Sequence, residues 1–161
     1  MATLRPLYLT ADVGTSSLKA VGYGAEGIVL GMASVRYEYH SAEPGWAEGD
    51  PAEWWDAFRR AVAALRDQGL DLGGVQAIAF TGQMHTAVLL DGQGQVIPPT
   101  ILWLDRRAAA ETDWLCSTLK LPPYQINSTY TLPKLLWLSR HRPDVVSRIS
   151  TLLWPKDYLR Y

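Results

Sequence analysis

A mixed α/β fold is what this sequence predicts, and three observations predict it. Runs at 7–13, 17–23 and 28–39 are apolar or alternating, follow one another across short turns, and read as hairpin-linked strands. A strongly marked amphipathic helix then begins at Pro51. Directly after it, "VQAIAFTG" (75–82) is short and nearly continuously apolar, the composition of a buried strand in a parallel arrangement.

Each element has its own signal. The first run, "LYLTADV", reads as a buried strand, and "SLKAVGY" alternates well enough to be its hairpin partner. The third, Ile28 to Tyr39, is entered through "GAEG", whose glycines permit a tight turn. The helix has Asp50 at its N-cap, Pro51 in first position and Glu53 completing a capping box. Trp55, Phe58, Val62 and Leu65 recur at spacings of three and four and predict its buried face, and Gly69 closes it. Three hairpin-linked strands, a helix and a parallel strand make the first half of a ribonuclease H-like domain, not the regular alternation of a dinucleotide-binding unit. Beyond it, "AVLLDGQGQVI" predicts two short strands around Asp91-Gly92. "TILWLDRRAAAETDWLCSTL" predicts a strand running into a helix, "TLPKLLWLSRHR" a helix with Pro133 in its first turn, and "PDVVSRI" a short helix.

Composition bounds the function. The 161 residues are 48% hydrophobic, ample for the core of one domain or a piece of one, and carry 15 basic against 16 acidic residues. That balance offers no basic face for nucleic acid. One cysteine, Cys116, excludes an internal disulfide, fits a reducing compartment, and on an apolar helix face reads as inert packing. No signal peptide or membrane span is apparent, so a cytoplasmic location is expected. The apolar ending "LLWPKDYLRY", with no helix stop signal, and the seven Trp and eight Tyr predict a chain cut from a larger protein.

Three segments carry candidate chemistry. In "DVGTSS", Gly14 lets a ligand approach the backbone, while Thr15, Ser16 and Ser17 offer hydroxyls and amides to an anion. Asp12 would repel phosphate unless Mg²⁺ stood between them, held through water. The alternative is a plain hairpin with residues chosen for their turn chemistry. In "TGQMHTAVLLD", Gln83 and His85 can both donate and accept, and Met84 adds a soft wall, a set suited to a polyhydroxylated molecule. The alternative is a loop histidine satisfied by backbone. In "ILWLDRRA", Asp105 suits either a helix cap or an acceptor for substrate hydroxyls, Trp103 either a pocket wall or core. Arg106 and Arg107 read as surface charges at a helix start, His40 and His141 as solvated.

Taken in order, "DVGTSSLKAV", "GWAEGDPAEWW", "GQMHTAVLLD", "ILWLDRR", "LPKLLWL" and "LLWPKDYL" resemble the N-terminal domain of the FGGY family of carbohydrate kinases, and within it most closely the xylulose kinases. The resemblance spans nearly the whole chain. It implies a ribonuclease H-like core of the actin, hexokinase and Hsp70-ATPase type, with a mixed sheet and flanking helices. Residues 1–161 would then be a partial sugar-binding domain, the nucleotide-binding domain lying outside the chain. The implied activity is ATP-dependent phosphorylation of a sugar hydroxyl with Mg²⁺ as cofactor, sugar and ATP as partners, and a homodimer as the full-length form. By carry-over, Asp12 is catalytic and reaches Mg²⁺ through water. Gly14, Thr15, Ser16 and Ser17 surround the transferred phosphoryl group, and Gln83, Met84 and His85 hold the sugar. Trp103 and Asp105 line its pocket. The family's general-base aspartate would lie beyond Tyr161, leaving the fragment inactive alone. Thr86 stands where xylulose kinases usually carry Gly, and Leu104 where a polar residue is common, which keeps a gluconate kinase in view. A non-catalytic actin-like or sugar-sensing module is the reading from another class.

Overall fold

The computed structural model describes residues 7–122 and 124–161. In chain order the elements are β1 (Leu7–Val13), β2 (Ser17–Gly24), β3 (Val29–Arg36), β4 (Glu48–Gly49), α1 (Pro51–Asp67) and β5 (Val75–Gly82). There follow β6 (Val88–Leu90), β7 (Thr100–Ile101), α2 (Ala109–Leu119), α3 (Thr131–His141), α4 (Pro143–Val146), β8 (Thr151–Leu153) and α5 (Pro155–Tyr158). The chain divides into two compact units. The first takes in the chain up to Glu38, Ala52–Gly82 and Leu159–Tyr161, the second Tyr39–Pro51 and Gln83–Tyr158.

The first unit is built on a four-stranded sheet of order β3-β2-β1-β5. β1 runs antiparallel to β2, with Val13 opposite Leu18, and parallel to β5, with Val13 opposite Gly82. The expected meander and parallel strand are both present. β3 stops at Arg36, short of the expected Tyr39, because the Tyr37 N–H leaves the ladder and donates to the Ser16 carbonyl at 3.1 Å. β1 is buried on one face only: Leu7, Leu9, Ala11 and Val13 are covered, whereas Tyr8 and Asp12 are exposed.

α1 covers that apolar face. Its most buried residues are Trp54, Ala57, Ala61 and Leu65, while Trp55 is 45% exposed. The buried stripe is therefore turned from the expected Trp55 face and runs through two small residues, Ala57 and Ala61. Two glycines continue this logic from below. A methyl group on Gly22 would overlap the Leu70 side chain, and one on Gly31 would lie 2.8 Å from Leu70 Cδ1. The helix ends in a Schellman arrangement: Gly69 takes φ +94°, its N–H bonds the Arg66 carbonyl, and the Leu70 N–H bonds that of Leu65 at 3.2 Å.

β5 departs from expectation in burial. It is parallel to β1 as predicted, yet Ile78 is 44% exposed and Gln76, Ala77 and Ala79 are exposed too. Its place at the rim of the sheet explains this, since among the described residues only β1 flanks it.

The second unit pairs β4 with β7 and β6 with β8, both antiparallel. Leu89, Ile97, Ile101, Leu138 and Val145 form its core, with Trp137 and Leu135 packed around them. The second strand expected near Asp91 shrinks to a bridge between Leu90 and Val96. The strand expected before α2 shrinks to two residues, and 102–108 instead forms a turn. No helix among the described residues is long and apolar enough to cross a membrane.

Candidate functional site

The first unit presents the bend between β1 and β2. The Gly14 N–H donates to the Ser17 carbonyl at 2.9 Å and closes the turn. Tyr37, from the end of β3, braces it by donating its hydroxyl to the Gly14 carbonyl at 2.7 Å. Burial, and then the charge of Asp12, push the Tyr37 phenol well above the usual tyrosine range, so it stays a donor. Ser16, Ser17, Arg36, Tyr37 and Glu38 line an open groove of about 550 Å³ beside the turn. Asp12 is exposed at the carboxyl end of β1, facing Lys19 across the ladder. One exposed carboxylate with hydroxyls nearby fits the donor set of Mg²⁺ beside a nucleotide, where water and phosphate oxygens supply most of the coordination. Among the described residues no cluster of three His, Cys, Asp or Glu side chains offers a closed metal cage.

The second unit carries the other site residues. β5 delivers the chain into Gln83–Thr86, and here the backbone turns sharply: His85 takes φ +60°. A side chain in that left-handed region is uncommon and strained, and such strain concentrates at functional positions. The His85 ring stands edge-on to Tyr130, centroids 4.4 Å apart. Met84 beside it is 71% exposed. Burial, and then the positive charge of Lys134, hold the His85 imidazolium below its ordinary range, so the ring is neutral near pH 7.

Thr86 faces inward. It is fully buried, donates its hydroxyl to Gln83 Oε1 at 3.0 Å and accepts the Trp103 N–H at 3.0 Å. Thr86 thus ties two loops together. Trp103 keeps 39% of its surface exposed.

Asp105 and Arg107 correct the sequence reading. Asp105 was expected to line the sugar pocket, but it is fully buried and both oxygens are held by protein. Oδ2 accepts the Ala47 N–H at 2.6 Å and Oδ1 the Arg107 N–H at 2.8 Å. The Arg107 side chain, expected on the surface, is 1% exposed. Its guanidinium bonds Asp105 at 2.8 Å and Glu48 at 2.7 Å, with its Cζ 3.7 Å from the Trp46 ring centroid and 5.1 Å from that of Trp137. A carboxylate so engaged holds the turn before α2 in shape, with both oxygens occupied by protein donors.

Sequence reasoning missed Tyr37, Arg107 and Lys134. Lys134 had a legible signal, since it shares the buried face of α3 with Pro133 and Leu138 and is itself 3% exposed. A lysine in a core position is an exception that asks for a reason. The Tyr37 and Arg107 roles rest on contacts between distant segments, which no local pattern displays.

Comparison with known proteins matches the model of the FGGY family of carbohydrate kinases, N-terminal domain, to residues 7–161. The chain is similar to the xylulose kinase of Escherichia coli (strain K12), 39% identical over 96% of this chain and 32% of that protein. Among solved structures it is similar to a xyloylose kinase from Brucella ovis, with TM-score 0.89 and 37% identity over 96% of this chain and 33% of that one. A gluconate kinase from Lactobacillus acidophilus superposes with TM-score 0.86 at 26% identity, over 96% of this chain and 32% of that one. These neighbours bear out the ribonuclease H-like fold with its mixed sheet and flanking helices. The chain spans about a third of the length of the curated relatives it matches.

Proposed function

Because the chain belongs to the FGGY family of carbohydrate kinases, we propose that it forms the sugar-holding part of an enzyme that transfers the terminal phosphoryl group of ATP to a hydroxyl of a xylulose-type ketopentose. One observation carries this reading: a strained, neutral histidine at the end of β5, edge-on to Tyr130 and next to an exposed methionine. A neutral imidazole both donates and accepts, so it can bond a sugar hydroxyl while Met84 and Trp103 cover its carbon face. Gln83 is oriented for the same task by Thr86.

Phosphoryl transfer needs positioning and charge neutralisation more than covalent help. At the β1–β2 bend, Ser16 and Ser17 line the groove and Tyr37 keeps the bend in shape. Asp12 would hold Mg²⁺ through water, and the ion would neutralise charge on the phosphates. The resemblance assigns proton removal from the sugar to an aspartate outside these residues. The companion ATP-binding domain, cytoplasmic location and a dimeric full-length form belong to the same proposal.

The gluconate alternative rests on two departures from the xylulose kinase pattern, Thr86 in place of Gly and Leu104 in place of a polar residue. With the Thr86 hydroxyl bonded to Gln83 and Trp103, the xylulose-type reading is preferred. Calorimetric titration with D-xylulose and D-gluconate tests this. The expected result is saturable xylulose binding that weakens about tenfold or more in His85→Ala, the loss of one or two good hydrogen bonds. Equal binding in the variant, or tighter binding of gluconate, would reject it.

A further inference from the structure

Lys134 is buried on α3, and its ammonium donates to two backbone carbonyls, Trp103 at 3.2 Å and Thr129 at 2.7 Å. Those carbonyls belong to two different loops, and Trp103 is also tied through Thr86 to Gln83. Lys134 also lines, with His85, Thr131 and Leu138, a cavity of about 10 Å³. We infer that Lys134 is a positioning residue for the sugar pocket: it fastens the Trp103 and Thr129 backbones together and sets a positive charge behind the His85 imidazole. The inference rests on the reading of His85 as a sugar contact.

The electrostatics agree with the geometry. Lys134 is lowered to about 8, chiefly by burial; the Asp105 charge opposes that shift, while Arg106 and Arg107 add to it. Tyr130 stands edge-on to the ring, and Thr131 lines the cavity with it. An ammonium that remains charged below about pH 8 opposes proton uptake by His85 throughout the range in which a free histidine would titrate. The sugar would therefore meet a neutral ring down to a lower pH than an unperturbed histidine offers.

The test compares wild type with Lys134→Met, which removes charge and donors, and Lys134→Gln, which keeps a donor without charge. Two quantities are followed against pH: the His85 imidazole titration by NMR and the dissociation constant for D-xylulose. Both variants are expected to raise the His85 titration point by about half a pH unit or more. The acid limb of xylulose binding should move with it, and Lys134→Met alone should also weaken binding at neutral pH. An unmoved titration point in a folded variant overturns the inference, as does a wild-type His85 that titrates at or above the ordinary value near 6.5. That second arm needs no variant and holds if neither folds. If the imidazole titration moves and xylulose binding ignores it, the coupling stands and the sugar reading of His85 fails. If His85→Ala abolishes binding while the lysine variants leave the acid limb in place, the sugar reading stands and the role of Lys134 fails.

Discussion

His85 combines a proposed sugar contact with a backbone cost. A residue with a Cβ at φ +60° is disfavoured by about 1–2 kcal/mol relative to its ordinary conformations, a penalty glycine escapes. His85→Gly is therefore expected to be more stable than His85→Ala by about 1 kcal/mol, while both lose xylulose binding. Chemical denaturation of the two variants measures this, and equal stability would show that the bend carries no strain. At the other bend, Asp12→Asn in a catalytically active form of the protein should lower kcat sharply with sugar affinity unchanged. An unaltered kcat would remove Asp12 from the phosphate site. The single-residue chemistry was the more legible part of the site, since "GQMH" and "DVGTSS" are contiguous and their residue types announce what they can bond. Thr86 and Asp105 misled for the opposite reason. Their side chains turn inward, and direction of turn depends on partners as distant in sequence as Trp103 and Ala47.

The elements behave as layers whose contact depends on small residues. Leu70 rests on Gly22 and Gly31, so Gly22→Ala should destabilise the first unit by about 1–3 kcal/mol through overpacking. A variant with an unchanged unfolding midpoint would show that the helix end can shift at no expense. In the second unit, Arg107 joins the β4 segment to the turn before α2. Asp105→Asn removes the buried charge that Arg107 bonds while leaving it Glu48, so it should cost about 1–3 kcal/mol in weakened charged hydrogen bonds. Adding Arg107→Met to it should cost less than the sum of the two single changes, and strict additivity would contradict the coupling. Element existence was legible because β1, β2, α1 and β5 each carry a full period of pattern and their own turn signals. The helix face was misjudged because aromatic residues drew attention from Ala57 and Ala61, which are both buried. The burial of β5 follows from sheet order, which its own eight residues do not encode.

At the scale of the whole chain, near-neutral charge and an ample apolar content fit a packed domain, and the polar exceptions inside it mark its business. Lys134 is the clearest. Its unfolded value is 10.5 and its folded value about 8, so between these the unfolded chain holds more protons. The contribution of Lys134 to stability thus rises with pH across that window and is least favourable below about pH 8. Lys134→Met should flatten this rise in a stability profile from pH 8 to 10.5, and an identical profile would show that the ammonium is solvated. The proposal that unites these features is a polyol held by a neutral imidazole beside a soft apolar wall. Titrating isotope-labelled protein with D-xylulose and following each amide and indole resonance examines that directly. Saturable shifts centred on Gln83, Met84, His85 and the Trp103 indole, with the Ser16 and Tyr37 signals unmoved, are expected. Shifts elsewhere that leave those four residues unchanged would contradict it.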